Sequence, residues 1–303
     1  FKQYPDWLQI WPGHGAGSAC GKGLSSVPHS TVGYERRFNW AFAITDEAQF
    51  VQAVLEGQPE PPKYFAEMKR VNKIGAPNFN FSAMPPAVGV DAIRRALESG
   101  VTVVDTRLAP DFAEAHIPGT INIPLNKSFN TWAGWFLRYD APFLFIASDA
   151  SSIATTIRDL GMIGLDSPAG AATRGLLTEW TAAGGTLETV GQITATALSE
   201  RVSSGSVTVV DVRGKAEWEA GHIPGAGNIP AGLLTEHLDE LPRTSTIIVQ
   251  CQGGGRSAIG ASVLLASGFR DVLNMSDGFD GWAAAGLPVE AQTAVGAAAQ
   301  AAR

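Results

Sequence analysis

The 303 residues carry a formal charge of −7, with 22 Lys and Arg against 29 Asp and Glu, and no cationic cluster of the kind that neutralises phosphates, which excludes nucleic acid as a partner. Hydrophobic residues make up 45% and charged residues 17%, a globular composition without an apolar run near the ~20 residues that cross a bilayer, so a membrane partner is excluded too. Two cysteines, Cys20 and Cys251, give no disulfide framework, and a reducing compartment, the cytoplasm, is expected.

The chain opens on Phe1, with neither an initiator Met nor a secretion-signal pattern, and reads as part of something longer. Its length suggests two or three domains. Residues 8–12 predict a short strand, followed by the glycine-rich loop from Gly13 to Lys22. That loop brushes against a phosphate-binding pattern, but Ala16 stands where the first Gly is required and Gly23 where Ser or Thr belongs. Thr45 is expected to cap a helix from Asp46 to about Leu55, and Pro61-Pro62 to open another through Arg70.

From residue 86 onward the chain repeats itself. Val101-Thr102-Val103-Val104-Asp105-Thr106-Arg107 returns as Val207-Thr208-Val209-Val210-Asp211-Val212-Arg213, a shift of 106 residues. His116-Ile117-Pro118-Gly119 and Asn122-Ile123-Pro124 return at the same shift, as His222-Ile223-Pro224-Gly225 and Asn228-Ile229-Pro230. The β-branched runs that end at Asp read as strands buried on both faces. Helical segments at 91–99, 194–203 and 257–267 alternate with strands that include 246–250. Alternation of this kind predicts α/β domains with open parallel sheets and helices on both faces. The copies are placed at 86–189 and 190–290, after a distinct segment 1–85 and before an Ala-rich tail, 291–303, expected to be frayed or disordered.

The chemistry gathers at Cys251, between the apolar run 246–250 and a helix, in the loop Cys251-Gln252-Gly253-Gly254-Gly255-Arg256. This is the carboxyl edge of a parallel sheet, where open α/β folds bind ligands. A glycine-rich turn that opens a helix can aim successive N–H groups into one concavity. With Cys251 at its entrance, that field favours the ionised sulfur and makes it a nucleophile. Arg256 adds a cation, Ser257 is expected to cap the helix, and Asp211 is expected to bond neighbouring loops. His222 sits beside Ile-Pro-Gly in both copies, including the one without cysteine, so a role in the turn is expected rather than catalysis.

Asp211-Val212-Arg213, Gly221-His222-Ile223-Pro224-Gly225-Ala226, Cys251 through Ser257, and Gly281-Trp282 with Gly286-Leu287-Pro288-Val289 together resemble the rhodanese family over a whole domain. The resemblance implies sulfur transfer by covalent catalysis through a Cys251 persulfide, from thiosulfate or a persulfide to a thiophilic acceptor. It implies Gln252, Gly253, Gly254, Gly255, Arg256 and Ser257 as the sulfur-binding loop, Asp211 and Arg213 as supporting residues, and no cofactor. Expected partners are small sulfur-containing anions and low-molecular-weight thiols or persulfides, with homo-oligomers left open. Cysteine phosphatase relatives have five residues between Cys and Arg; here there are four. The first copy runs instead from 143–147 into Ser148-Asp149-Ala150, with Ser148 near the nucleophile position and no Cys, triple Gly or Arg. It reads as inactive, used for packing or docking.

Trp11-Pro12-Gly13-His14-Gly15, with Ser30-Thr31-Val32-Gly33-Tyr34-Glu35-Arg36, resembles the carboxy-terminal end of the metallo-β-lactamase αββα fold, closest to persulfide dioxygenase-like fusions with rhodanese domains. The resemblance puts His14 at that family's final metal-site position, with iron or zinc expected only in an intact domain of that fold. The five histidines include no close pair, and a metal needs three or four convergent ligands. The alternatives are a metal-dependent hydrolase or dioxygenase with regulatory rhodanese modules, and a sulfur-carrier or docking module without turnover.

Overall fold

The computed structural model describes residues 1–13, 29–56, 61–78, 83–203, 205 and 207–291. His14, Cys20 and the Ala-rich tail lie outside the described residues. Residues 1–60 and 61–303 form two compact units. Among the described residues, no helix is long and apolar enough to cross a membrane.

In the first unit, strands β1 (Gln9–Ile10) and β2 (Ser30–Thr31) pair antiparallel. Thr31 accepts the Tyr34 N–H and so caps the helix Val32–Phe38. The next predicted helix is present as Glu47–Leu55, but Asp46 caps it, its carboxylate accepting the Gln49 N–H at 2.8 Å. With Glu47 as the first helical residue, Asp46 rather than Thr45 falls at the capping position, where its charge also meets the positive helix end.

The second unit contains two parallel sheets. The first is built from β3 (Thr102–Asp105), β4 (Ile121–Asn122), β5 (Phe143–Ala147) and β6 (Gly170–Thr173), in the order β4-β3-β5-β6. A parallel bridge from Ala87 to Ala171 extends its far side. The second contains β7 (Gly191–Ile193), β8 (Val207–Asp211), β9 (Gly227–Asn228), β10 (Thr246–Gln250) and β11 (Val272–Met275), in the order β7-β11-β10-β8-β9. The two therefore share one strand order. The helix Tyr64–Ile74, which the sequence groups with the amino-terminal segment, belongs to this unit; Tyr64 packs on the core around Phe129 and Phe145.

β10 shows why the second sheet is stable and where it aims its end. Ile247 and Val249 face one core with Ile259 and Val263 of the helix Gly255–Ala266, while Ile248 faces the other with Leu198, Met275 and Trp282. All three are at most 1% exposed, and each such burial contributes about 1.5–3 kcal/mol. A strand anchored on both faces holds the residue after it in a fixed place. That residue is Cys251.

The two sheet layers meet along the helix Gly255–Ala266. Its Ser262 hydroxyl accepts the Asn122 N–H at 2.8 Å, and Phe112 and Trp132 of the earlier layer join the apolar cluster that contains Cys251 and Ile259.

Candidate active site

Cys251 leaves β10 at its carboxyl end and the helix begins at Gly255, so the turn is completed in three residues. Gly254 stands at the N-cap with φ +84°, a left-handed conformation that glycine adopts without steric cost. A Cβ there would lie 2.1 Å from the Ser276 carbonyl oxygen. The turn is pinned from outside: Phe279 N–H donates to Cys251 O at 2.7 Å and Asp280 N–H to Gln252 O at 3.0 Å. Among the described residues, the N–H groups of Gln252 through Ser257 donate to no protein acceptor. They form the unsatisfied, positive end of the helix, suited to an anion.

Cys251 is 1% exposed and lines a cleft of about 460 Å³ from beneath rather than standing at an entrance. One wall comes from its own layer through Gly253, Gly255 and Ile259; the other comes from the earlier layer through Leu108, Pro124 and Trp132. Ser257 is the third residue of the helix rather than its cap, because the glycines let the helix start earlier. Its hydroxyl oxygen lies 3.4 Å from Cys251 Sγ and 3.0 Å from Gly254 O.

Both expected cations are committed to carboxylates. Arg213 is 2% exposed and grips Asp211 through Nε and Nη2, the shortest contact 2.7 Å, while donating to Gly221 O and Gln252 Oε1. Its guanidinium also stacks over Phe279, 4.1 Å from the ring centre. Asp211 thus ties the strand end to the loops, as its burial demands. Arg256 makes a bidentate pair with Glu217, 2.7 Å at each oxygen. This pairing raises the arginine above its ordinary range and lowers the glutamate, against the cost of partial burial. Gln252 donates its amide to Asp280.

Sequence reasoning missed Glu217, Asp280 and Trp132. Glu217 carried a faint signal, three residues after Gly214 at a helix start, where it accepts the Gly214 N–H at 3.0 Å. His222 holds a turn: its ring nitrogen meets Trp218 O at 2.8 Å and its ring stacks on Trp218 at 3.8 Å. His116 does the same with Phe112. Among the described residues, no three His, Cys, Asp or Glu side chains converge to hold a metal.

In the first sheet, Asp105 pairs with Ile146 as Asp211 pairs with Gln250. The register therefore sets Ala147, rather than Ser148, at the position of Cys251. Asp149 caps the helix Ala150–Gly161 and accepts from Ser151 and Ser152, which pull its carboxyl down to about 2. A carboxylate of the chain itself occupies the anion position.

The profile of the rhodanese-like domain matches residues 194–285. A sulfurtransferase of Allochromatium vinosum is 34% identical over 103 residues, which are 34% of this chain and 96% of that protein. An HTH-type transcriptional regulator of Mycobacterium tuberculosis is 41% identical over 105 residues, 34% of this chain and 46% of the regulator. A metallo-beta-lactamase structure from Staphylococcus aureus is 39% identical, covering 57% of this chain and 47% of its own, with a TM-score of 0.45.

Proposed function

The chain belongs to the rhodanese-like family, and from that premise we propose that it is a sulfurtransferase working in the cytoplasm through a persulfide on Cys251. The supporting observation is the cleft floor, where one thiol adjoins the uncommitted N–H groups of a glycine turn at a helix start. Those donors favour an ionised sulfur and a negatively charged outer sulfur attached to it.

The steps balance without a cofactor. Cys251 thiolate attacks the sulfane sulfur of a donor R–S–SH; a new S–S bond forms as the old one breaks. The electron pair leaves on RS⁻, which takes a proton from solvent. With thiosulfate the leaving group is sulfite. A thiophilic acceptor then attacks the outer sulfur and Cys251 leaves as thiolate, which closes a ping-pong cycle. Ser257, 3.4 Å from the sulfur, can donate to it as it departs. The earlier layer performs no chemistry and supplies the opposite wall.

We place the amino-terminal unit at the end of a metallo-β-lactamase-type domain, with sulfur transfer coupled in the whole protein to persulfide oxidation at an iron centre. His14 would belong to that domain's metal site. Release of thiocyanate from thiosulfate and cyanide, or of sulfide from a persulfide and a thiol, tests the transfer. Cys251→Ser abolishes both; turnover by this variant would refute the assignment.

A further inference from the structure

The guanidinium that lines the cleft does not face an incoming donor as a free charge. Arg256 is the one charged residue lining the cleft among the described residues, and Glu217 takes both of its terminal nitrogens at 2.7 Å. The glutamate is itself fixed, since the Gly214 N–H holds one of its oxygens at 3.0 Å. Arg213 offers no substitute, being buried against Asp211. Asp280, bonded to Gln252, adds a further carboxylate beside the loop. Both cations are thus paired with carboxylates, and among the described residues only uncharged donors, chiefly the main-chain N–H groups of the turn, are left to receive negative charge. The opposite wall, which includes Leu108, Pro124, Asn126, Ser128 and Trp132, contributes no charge.

We infer that Glu217 is a specificity-determining residue: by clamping Arg256 it withholds the only cleft cation from the donor and discriminates against small dianions. This inference rests on the proposed sulfur transfer at Cys251. A monoanionic or neutral donor needs only the N–H groups for its outer sulfur and can lay its organic end along Trp132. A dianion such as thiosulfate brings a second region of charge that meets a neutralised pair. Glutamate pairs with the guanidinium as an anion; glutamine, nearly the same size, keeps an acceptor for Gly214 N–H but releases the charge. A unit charge freed beside an anion in a partly solvated cleft changes binding by about tenfold.

The experiment compares steady-state kinetics with thiosulfate, a dianion, and with an alkyl persulfide whose organic group is uncharged, a monoanion at most, for wild type, Glu217→Gln, and Glu217→Gln combined with Arg256→Gln. Glu217→Gln lowers KM for thiosulfate about tenfold, lowers KM for the alkyl persulfide clearly less, and makes the thiosulfate reaction more sensitive to salt. The second substitution cancels the gain. Equal changes for both donors, or a loss with thiosulfate, would overturn the role of Glu217 while leaving Cys251 chemistry standing. Failure of wild-type Cys251 to take sulfur from either donor would instead remove the sulfur-transfer reading itself.

Discussion

Two strand ends in this molecule, Ala147 and Cys251, occupy the same place in sheets of the same strand order, yet only one is equipped for chemistry. After Cys251, three residues with Gly254 at φ +84° lead to a helix whose first N–H groups are uncommitted. After Ala147 only two residues intervene, and the Asp149 side chain satisfies the helix start internally. Both helices begin with the same positive end. The difference lies in whether an anion from outside or a carboxylate of the chain neutralises it. Losing the thiol is therefore only one of three changes, beside a shorter turn and a built-in anion.

The comparison breaks most severely at Gly254. Alanine there must adopt a left-handed conformation, at about 1–2 kcal/mol, and place its Cβ 2.1 Å from Ser276 O. Gly254→Ala is expected to lose several kcal/mol of stability and all sulfur loading of Cys251, read by denaturant unfolding and intact mass. A folded, fully loaded variant would show that the turn is not the essential difference.

Next in size is a proton effect in the first layer. His116 is buried, and burial pushes its imidazole down to about 4. Between about 6.5 and 4 the unfolded chain binds a proton that the folded chain refuses, so stability falls as pH is lowered through that window, by a few kcal/mol in total. His116→Asn, which keeps a donor for Phe112 O, flattens this dependence in urea titrations. An unchanged pH slope would contradict it.

Trp132 sharpens the comparison from the other side, because the earlier layer supplies it to the cleft that holds Cys251. Trp132→Ala is expected to lower kcat/KM for an alkyl persulfide about tenfold, as the loss of one apolar wall contact suggests, with a smaller effect for thiosulfate. Equal losses would mean that the wall only supports the fold. Ala147→Cys is expected to have the smallest effect: a thiol at the first strand end, but no second persulfide, because Asp149 still holds the helix end.

These differences explain what could be read along the chain. Val-Asp-x-Arg, His-Ile-Pro-Gly and the glycine turn are short local patterns with direct backbone consequences, so the parallel strands, the helices and the Cys251 loop were legible. Glu217 was not: it meets Arg256 across 39 residues, and a helix-start glutamate has an adequate local partner in Gly214. Trp132 reads as ordinary core until the two layers are docked. The sequence alone puts Ser148 near the nucleophile position, because strand register, which selects Ala147, is a property of pairing and not of the strand alone. Ser257 was expected at the cap because the sequence does not reveal that Gly254 turns early enough to take it.

Intact mass spectrometry after brief exposure to a sulfane donor tests the central claim most directly. The wild-type chain should gain one sulfur atom that a thiol reductant removes, and Cys251→Ser should gain none. A gain retained in Cys251→Ser, or no gain in wild type with either thiosulfate or an alkyl persulfide, would contradict the account.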